Sequence, residues 1–510
     1  MQRKEFMMLG AWVLAVTVAV CTVMLAVWWG GVNQDEGWYL YASRLVGEGK
    51  VPYRDFFFTQ GPILPYIYSV LPIRGLLSGR IVTLGFSLFS VLAAIAFARR
   101  LVGRECRPAV SLTVFVLLSC NLYHAYFTSI PKTYALGALF VMLGFLLLSR
   151  GWNFLSAVAF AFASGTRISL ILILGVVGMI LLVSRLRSLQ WLWFGLGGLF
   201  GLFLVYGFFV VDPESLRGLL AAQAYHAGRG GFDPFFAIGA VSRLVRGYLA
   251  IGVVMFAAFA LGRKDISEKG GAAEHVESIR LKWMVGLGFA AVFLLQLSAP
   301  FPYDVYQVPI MPLLAVLTAV QFVDRVSDHG MAMRFWFPVL VSGMCAFASP
   351  LVQDWMTDGQ DRFWTLKKGR SELSQMRDVA RRLEKMDPGG SEILTQDLYL
   401  AFEMGRRVPE GLEMGPFSYF PDISTAEAES INVMNTERLE RLLQSAPCRL
   451  AVFSGYGFAI SAPKCIETPR EVQDKLRAIL RNSYRKVDSV RRFGQNHTTM
   501  DCYIRMGDVK

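Results

Sequence analysis

Asp35 and Glu36 stand side by side just after the first long apolar run of the chain. Ionisable groups that close to hydrocarbon must find water or a partner, so the pair marks a candidate functional site. One of the two carboxylates can serve as a general base for an attacking hydroxyl or as an anchor for it. The structural alternative is a pair of solvated acids capping a helix that begins near Gly37, where the helix dipole favours negative charge. Aromatic residues follow at Tyr39, Tyr41, Tyr53 and Phe56 to Phe58, ahead of a Gln60-Gly61-Pro62 turn. Asp55, in a Tyr-Arg-Asp-Phe setting, is a weaker candidate because Arg54 beside it can simply pair with it.

The elements that must position these residues are membrane helices. Of 510 residues, 54% are hydrophobic and 18% charged, and the mean hydropathy is +0.43. A soluble chain carries about a quarter charged residues. Apolar segments run over roughly 8–29, 78–98, 108–122, 133–149, 152–165, 168–184, 191–211, 241–261, 283–299, 307–323 and 335–351. Their lengths predict about eleven spans. The pair 152–165 and 168–184 is short and suits a hairpin that only partly crosses. The N-terminal run is long enough to be an uncleaved first helix rather than a signal peptide.

Basic residues set the orientation. Arg99, Arg100, Arg104, Arg107, Arg150, Arg185, Arg187, Arg263, Lys264, Lys269, Arg280, Lys282, Arg325 and Arg334 cluster in one set of short connections. These are predicted to be cytoplasmic. The loops 30–77, 121–132, 212–240 and 301–306 then face outward. The net charge of +12 is explained by these topogenic clusters, and no basic patch with interleaved aromatics suggests nucleic acid.

Within the first external loop, residues 37–48 and 62–70 are predicted as amphipathic helices lying along the membrane surface. The 212–240 loop carries a predicted helix from Glu214 to His226. Charged residues become frequent from about 352. Helices are predicted over 373–386, 436–444 and 469–482, and strands over 391–395, 450–454 and 486–490. The predicted fold class is a polytopic α-helical membrane protein over 1–351 with an extracytoplasmic α/β domain over 352–510.

The Asp-Glu pair is followed by Trp/Tyr-x-x-Tyr, an amphipathic segment, Gly-x-Val-Pro-Tyr-Arg-Asp-Phe and a Gln-x-Pro-x-x-Pro turn before the second span. This resembles the GT-C class of membrane glycosyltransferases, in particular the protein-mannosyltransferase-like, ArnT-like and RgtA/B/C/D-like group, also described as glycosyltransferase family 39-like. The resemblance covers residues 1 to about 350. It is strongest at 30–70 and weaker at 298–312, where Tyr-x-x-Tyr-x-x-Pro-x-x-Pro precedes a span. It implies a GT-C fold and an inverting hexosyl- or pentosyltransferase in the bacterial inner (plasma) membrane. The implied donor is a polyprenyl-phosphate sugar, and the implied acceptor is a hydroxyl of an envelope glycan, lipid or protein. By motif position Asp35 is the catalytic base and Glu36 its neighbour. Where eukaryotic members tend to carry His-Pro-Pro, this chain has Gln60-Gly61-Pro62, so no acceptor is carried over.

Transfer from a lipid phosphate needs cations, because negative charge grows on the departing phosphate. It does not require a metal when Arg or Lys holds that phosphate, although a divalent ion stays open. Lys132, Arg167, Arg229 and Arg243 are the candidates near the external face. Arg167 lies between two apolar runs and calls for an anionic partner there, unless it snorkels to the interface. Arg229 is flanked by glycines and suits a phosphate-binding loop or a loop tip. Tyr303, Asp304 and Tyr306 share a short external turn, where Asp304 is a second acid, a partner for a cation or a solvated turn residue. His124 and His226 are isolated, and no Cys or His spacing suggests metal. In an external domain, Cys448, Cys465 and Cys502 could form one disulfide with one thiol left over. The competing functions are a flippase for lipid-linked sugars and a non-catalytic binder of envelope glycans. A transporter tends to show internal repeats and acids near the membrane midplane, and neither is evident.

Overall fold

A computed structural model describes residues 2–184, 188–227, 231–261, 272–326, 329–357, 368–455 and 468–508. The chain forms two compact units. The first comprises Met1–Trp28, Thr83–Val205 and Phe232–Lys367, the second Trp29–Val82, Tyr206–Gly231 and Lys368–Lys510.

Among the described residues, six helices are long and apolar enough to cross a membrane: Glu5–Trp29, Leu76–Ala98, Gln190–Val211, Val276–Leu297, Asp304–Val326 and Ala332–Met356. Two bent pairs join Arg104–Ser119 to Leu122–Ser129 at 68° and Pro234–Gly247 to Leu249–Ala260 at 80°. Thr133–Leu148, Asn153–Thr166 and Ile168–Ser184 are apolar but shorter. Every apolar segment read from the sequence is therefore helical. Among the described residues, six helices are long and apolar enough to cross, or up to eight if each bent pair is one span. The three shorter apolar helices fall short of about 30 Å at 1.5 Å per residue, so the expected eleven spans are not reached by length alone.

In the first unit the Asp304–Val326 helix is the central one. Its apolar window is 72% buried, against 28–44% for the other five. The Thr133–Leu148 and Asn153–Thr166 helices pack closely. A Cβ at Gly144 would stand 2.4 Å from the Phe160 ring, and the Ser156 hydroxyl donates to the Gly144 carbonyl at 2.8 Å. Glycine at this position lets the two backbones approach, as small residues do in membrane helix packing.

The second unit combines the first external loop with the C-terminal residues. Its sheet has the order β1-β2-β4-β3, with β1 Leu394–Thr395, β2 Leu450–Phe453, β3 Tyr484–Phe493 and β4 Thr498–Arg505. β1 pairs in parallel with β2, and the remaining pairs are antiparallel. The edge strand β3 carries exposed Arg485, Lys486, Arg491 and Arg492 and two register shifts. Charge and irregularity of this kind discourage a further strand from pairing there. Helices Glu372–Met386, Thr436–Ser445 and Arg470–Ser483 lie where the sequence predicts them, as does Pro213–Ala227. Strand β4 is not anticipated by the sequence, yet it joins β2 to β3.

Helices Gln34–Gly47 and Ile63–Ser69 occupy the two predicted positions in the first loop. Gln34–Gly47 does not show the single buried face of a helix lying on a membrane. Residues 36–43 are all buried, because this helix packs within its unit against Ile63–Ser69 and Leu398–Glu403. The approach is close enough that a Cβ at Gly37 would meet the Tyr399 amide nitrogen at 2.3 Å. The aromatic residues the sequence singled out build this packing. Trp38 meets Phe417 with ring centroids 4.3 Å apart, and Phe57 meets Phe420 at 5.4 Å.

Candidate functional site

The acidic stretch lies in the second unit, and its backbone is tied down residue by residue. Asn33 caps the helix with extended backbone, and its side chain accepts the Asp35 amide at 3.0 Å. Glu36 answers by accepting the Asn33 amide at 3.0 Å, completing a capping box. The Glu36 amide donates to the Asn33 carbonyl at 3.1 Å. The helix thus starts at Gln34, placing both acids in its first turn rather than ahead of it.

Arg80, near the start of the next long helix, organises the same segment. Its Nε and Nη2 reach the two Glu36 oxygens at 2.7 Å each. Its Nη1 and Nη2 also donate to the carbonyls of Gly30 and Gly31 at 3.0 and 2.8 Å. Neither Arg80 nor Glu36 is exposed. The guanidinium fork suits this bidentate geometry in a way a lysine does not. Glu36 therefore has both oxygens engaged in holding the loop. Asp35 is partly buried, in a segment whose neighbours Gln34 and Glu36 are buried.

Asp55 accepts from Arg54 Nε at 2.9 Å and from the Val51 amide at 2.7 Å. Burial alone would raise its carboxyl, but the hydrogen bonds from Arg54 and Val51 and the nearby positive charge leave it below its ordinary value. The local ion pair is thus formed, and it closes the 51–55 turn. The Gln60 carbonyl accepts from the Tyr53 hydroxyl.

A second cluster lies in the first unit. Lys132 is buried with its Nζ 5.0 Å from the centroid of Tyr134 and 5.6 Å from that of Phe127. Arg167 holds extended backbone between Asn153–Thr166 and the next helical turn. Its guanidinium lies 5.4 Å from the Tyr134 centroid and 4.4 Å from that of Tyr306. The Tyr134 ring is therefore shared by two cations, whose charges are attracted by the ring and repel one another. The anionic partner expected for Arg167 is not a side chain among the described residues.

Asp304 is buried and pairs with Arg243 Nε at 2.9 Å, while the Tyr123 hydroxyl donates to its other oxygen at 2.5 Å. Of its three sequence-level roles, the geometry is that of a cation's partner. Tyr303 and Tyr306 meet edge to face at 5.5 Å, and Tyr303 also meets Phe236. His124 is a buried histidine whose Nδ1 contacts the Tyr248 hydroxyl at 2.9 Å.

Arg229 and Cys465, and the side chain of His226, lie outside the described residues. Cys448 and Cys502 are both unbonded thiols, and burial pushes each up to about 12. Among the described residues no group of three or more His, Cys, Asp or Glu could hold a metal ion. Arg80 is the residue that sequence reasoning missed. A lone arginine entering an apolar run is itself the signal, since it demands an anionic partner.

The fold is similar to that of ArnT from Cupriavidus metallidurans. Against the apo crystal structure the TM-score is 0.59 at 15% identity, over 97% of this chain and 98% of that one. Against ArnT bound to undecaprenyl phosphate it is 0.55 at 14% identity, with the same coverage. The chain thus has a GT-C-like glycosyltransferase fold, and with its long apolar helices it is a multi-pass membrane protein. No family model matches the sequence, and no curated protein does.

Proposed function

We propose that the chain is a glycosyltransferase that moves a sugar from a polyprenyl-phosphate donor to a hydroxyl of a cell-envelope glycan, lipid or protein. The observation that carries this is Asp35, a partly buried carboxylate on a backbone held rigid by the capping box and by Arg80, within a GT-C-like fold. ArnT, which shares that fold, has been crystallised bound to undecaprenyl phosphate, and this supports a lipid phosphate as the donor's carrier.

In the proposed reaction Asp35 accepts the proton of the acceptor hydroxyl. The acceptor oxygen forms a bond to the anomeric carbon as the bond from that carbon to the phosphate oxygen breaks. The electron pair leaves with the polyprenyl phosphate, and a single displacement of this kind inverts the anomeric centre. Arg167 and Lys132 are assigned to the phosphate, because negative charge grows there as the bond breaks and cations stabilise it. Glu36 is assigned to holding Asp35 through Arg80 rather than to proton transfer. Asp55 and Gln60 are assigned to shaping the loop, and Tyr303, Asp304 and Tyr306 to lining the cation cluster. The 352–510 domain is placed outside the inner membrane.

The test is reconstitution of the purified protein in proteoliposomes with labelled polyprenyl-phosphate sugars. Formation of free polyprenyl phosphate together with a glycosylated acceptor supports transfer. Movement of the intact donor across the bilayer without bond cleavage contradicts it.

A further inference from the structure

The five consecutive amides from Val32 to Glu36 all have acceptors, and two of these acceptors come from far along the chain. The Val32 amide donates to Glu372 Oε2 at 2.9 Å, and the Gln34 amide donates to Gln495 Oε1 at 2.9 Å. The other three are satisfied inside the capping box. An amide left without a partner in so buried a segment would be costly, so these two contacts decide whether the stretch before Asp35 can keep its conformation.

The C-terminal residues are themselves fixed. Gln495 sits in the turn between β3 and β4, next to Gly494, whose φ is +67. A Cβ at Gly494 would stand 2.3 Å from the Tyr399 hydroxyl oxygen, so glycine seats the turn against that ring. Tyr399 donates to Asp397 Oδ1 at 2.8 Å, and Asp397 also accepts the Ser454 amide at 3.1 Å. His497, in the same turn, contacts Glu372 Oε1 at 2.7 Å, the second oxygen of the carboxylate that holds Val32. Turn, strand and helix thus converge on two acceptor oxygens, each aimed at one backbone amide of the acidic segment.

We infer that Glu372 and Gln495 are positioning residues for Asp35, and that the C-terminal α/β region thereby belongs to the catalytic machinery. This rests on the transferase reading above. A base must be held within a fraction of an ångström of its productive geometry, and misplacement by about 1 Å costs on the order of 100-fold. The hairpin supplies the constraint on the N-terminal side of Asp35, as Arg80 does through Glu36 on the other. Glu372 and Gln495 touch neither donor nor acceptor in this assignment.

The experiment uses the full chain in proteoliposomes and four variants. Gln495→Leu and Glu372→Leu remove the acceptor oxygen at similar volume, whereas Gln495→Glu and Glu372→Gln retain one. The leucine variants are expected to lower kcat by about 10- to 100-fold with the donor KM unchanged, and to lower the thermal midpoint by no more than one unpaired buried amide accounts for. The oxygen-retaining variants should stay within about threefold of wild type, the spread expected when the hydrogen bond survives. Hydrogen exchange at amides 32–36 should rise in the leucine variants alone. Wild-type kcat in both leucine variants overturns the inference, and so does a loss of kcat with unchanged exchange at 32–36. If the wild type transfers no sugar, the transferase reading fails instead. The exchange measurement then still decides whether these two side chains hold the loop.

Discussion

Arg80 closes a bidentate ion pair on Glu36, 2.7 Å at each contact, with neither side chain exposed. The same guanidinium also satisfies the carbonyls of Gly30 and Gly31. Its worth lies less in net attraction than in what its loss would leave behind. Breaking such a pair strands one charge in a buried site, which costs about 3–5 kcal/mol, whereas replacing both partners by apolar groups is often neutral. Arg80→Met and Glu36→Leu are each expected to lower stability in detergent by that amount. The double variant should recover a large part of it. Unfolding free energies for the three proteins check this, and additive losses would show that the two residues are not coupled.

Arg167 is expected to bind the phosphate of the lipid carrier. A charge-assisted hydrogen bond is worth about 1.5–3 kcal/mol, so Arg167→Ala should weaken polyprenyl-phosphate binding by about 10- to 100-fold. Arg167→Lys should restore part of it, keeping the charge but losing the fork. Binding of labelled polyprenyl phosphate to the purified protein measures both. Unchanged affinity in Arg167→Ala would remove this residue from the site.

Glu413 gives a pH prediction. Burial lifts its carboxyl from an ordinary 4.5 to about 7, although the Gly411 amide donates to it at 2.7 Å. The folded chain therefore holds a proton that the unfolded chain releases. The stabilisation is complete below the unfolded value and is lost as pH rises through about 7. Glu413→Gln keeps the acceptor and cannot ionise. The stability of this variant relative to wild type should rise by up to about 3 kcal/mol between pH 4 and pH 8. A constant difference across that range would show that Glu413 titrates normally.

Asp304 and Arg243 form a pair in which Arg243 is about half-exposed and Asp304 nearly buried. Asp304→Asn is expected to cost stability, because it leaves the Tyr123 hydroxyl and the arginine with a neutral partner. The loss should be near 1–3 kcal/mol. Donor binding should change by less than in Arg167→Ala. A larger binding defect in Asp304→Asn would place this acid at the substrate instead.

Much of the helical part was legible because uncharged apolar runs of spanning length rarely arise outside membrane helices. The two loop helices were legible from their aromatic spacing, but their burial was not. Gln34–Gly47 is covered by residues around Tyr399, which lie more than 350 positions away in sequence. The same distance hid Glu372 and Gln495, since no local pattern marks a side chain that will accept a remote amide. Strand β4 went unread although Met500, Cys502 and Ile504 alternate with Asp501, Tyr503 and Arg505, and Met500 and Cys502 are buried. Asp35 was visible from residue type, position and motif. The partner of Glu36 was not, although Arg80 stood in plain view at the start of an apolar segment.

The most direct measurement is sugar transfer by Asp35→Asn in proteoliposomes, beside wild type, with a polyprenyl-phosphate-linked donor. Removal of a general base typically costs about 10²–10⁴-fold. A fall of that size in kcat, with insertion, thermal midpoint and donor binding unchanged, is the predicted result. Full transfer activity in Asp35→Asn would contradict the account at its centre.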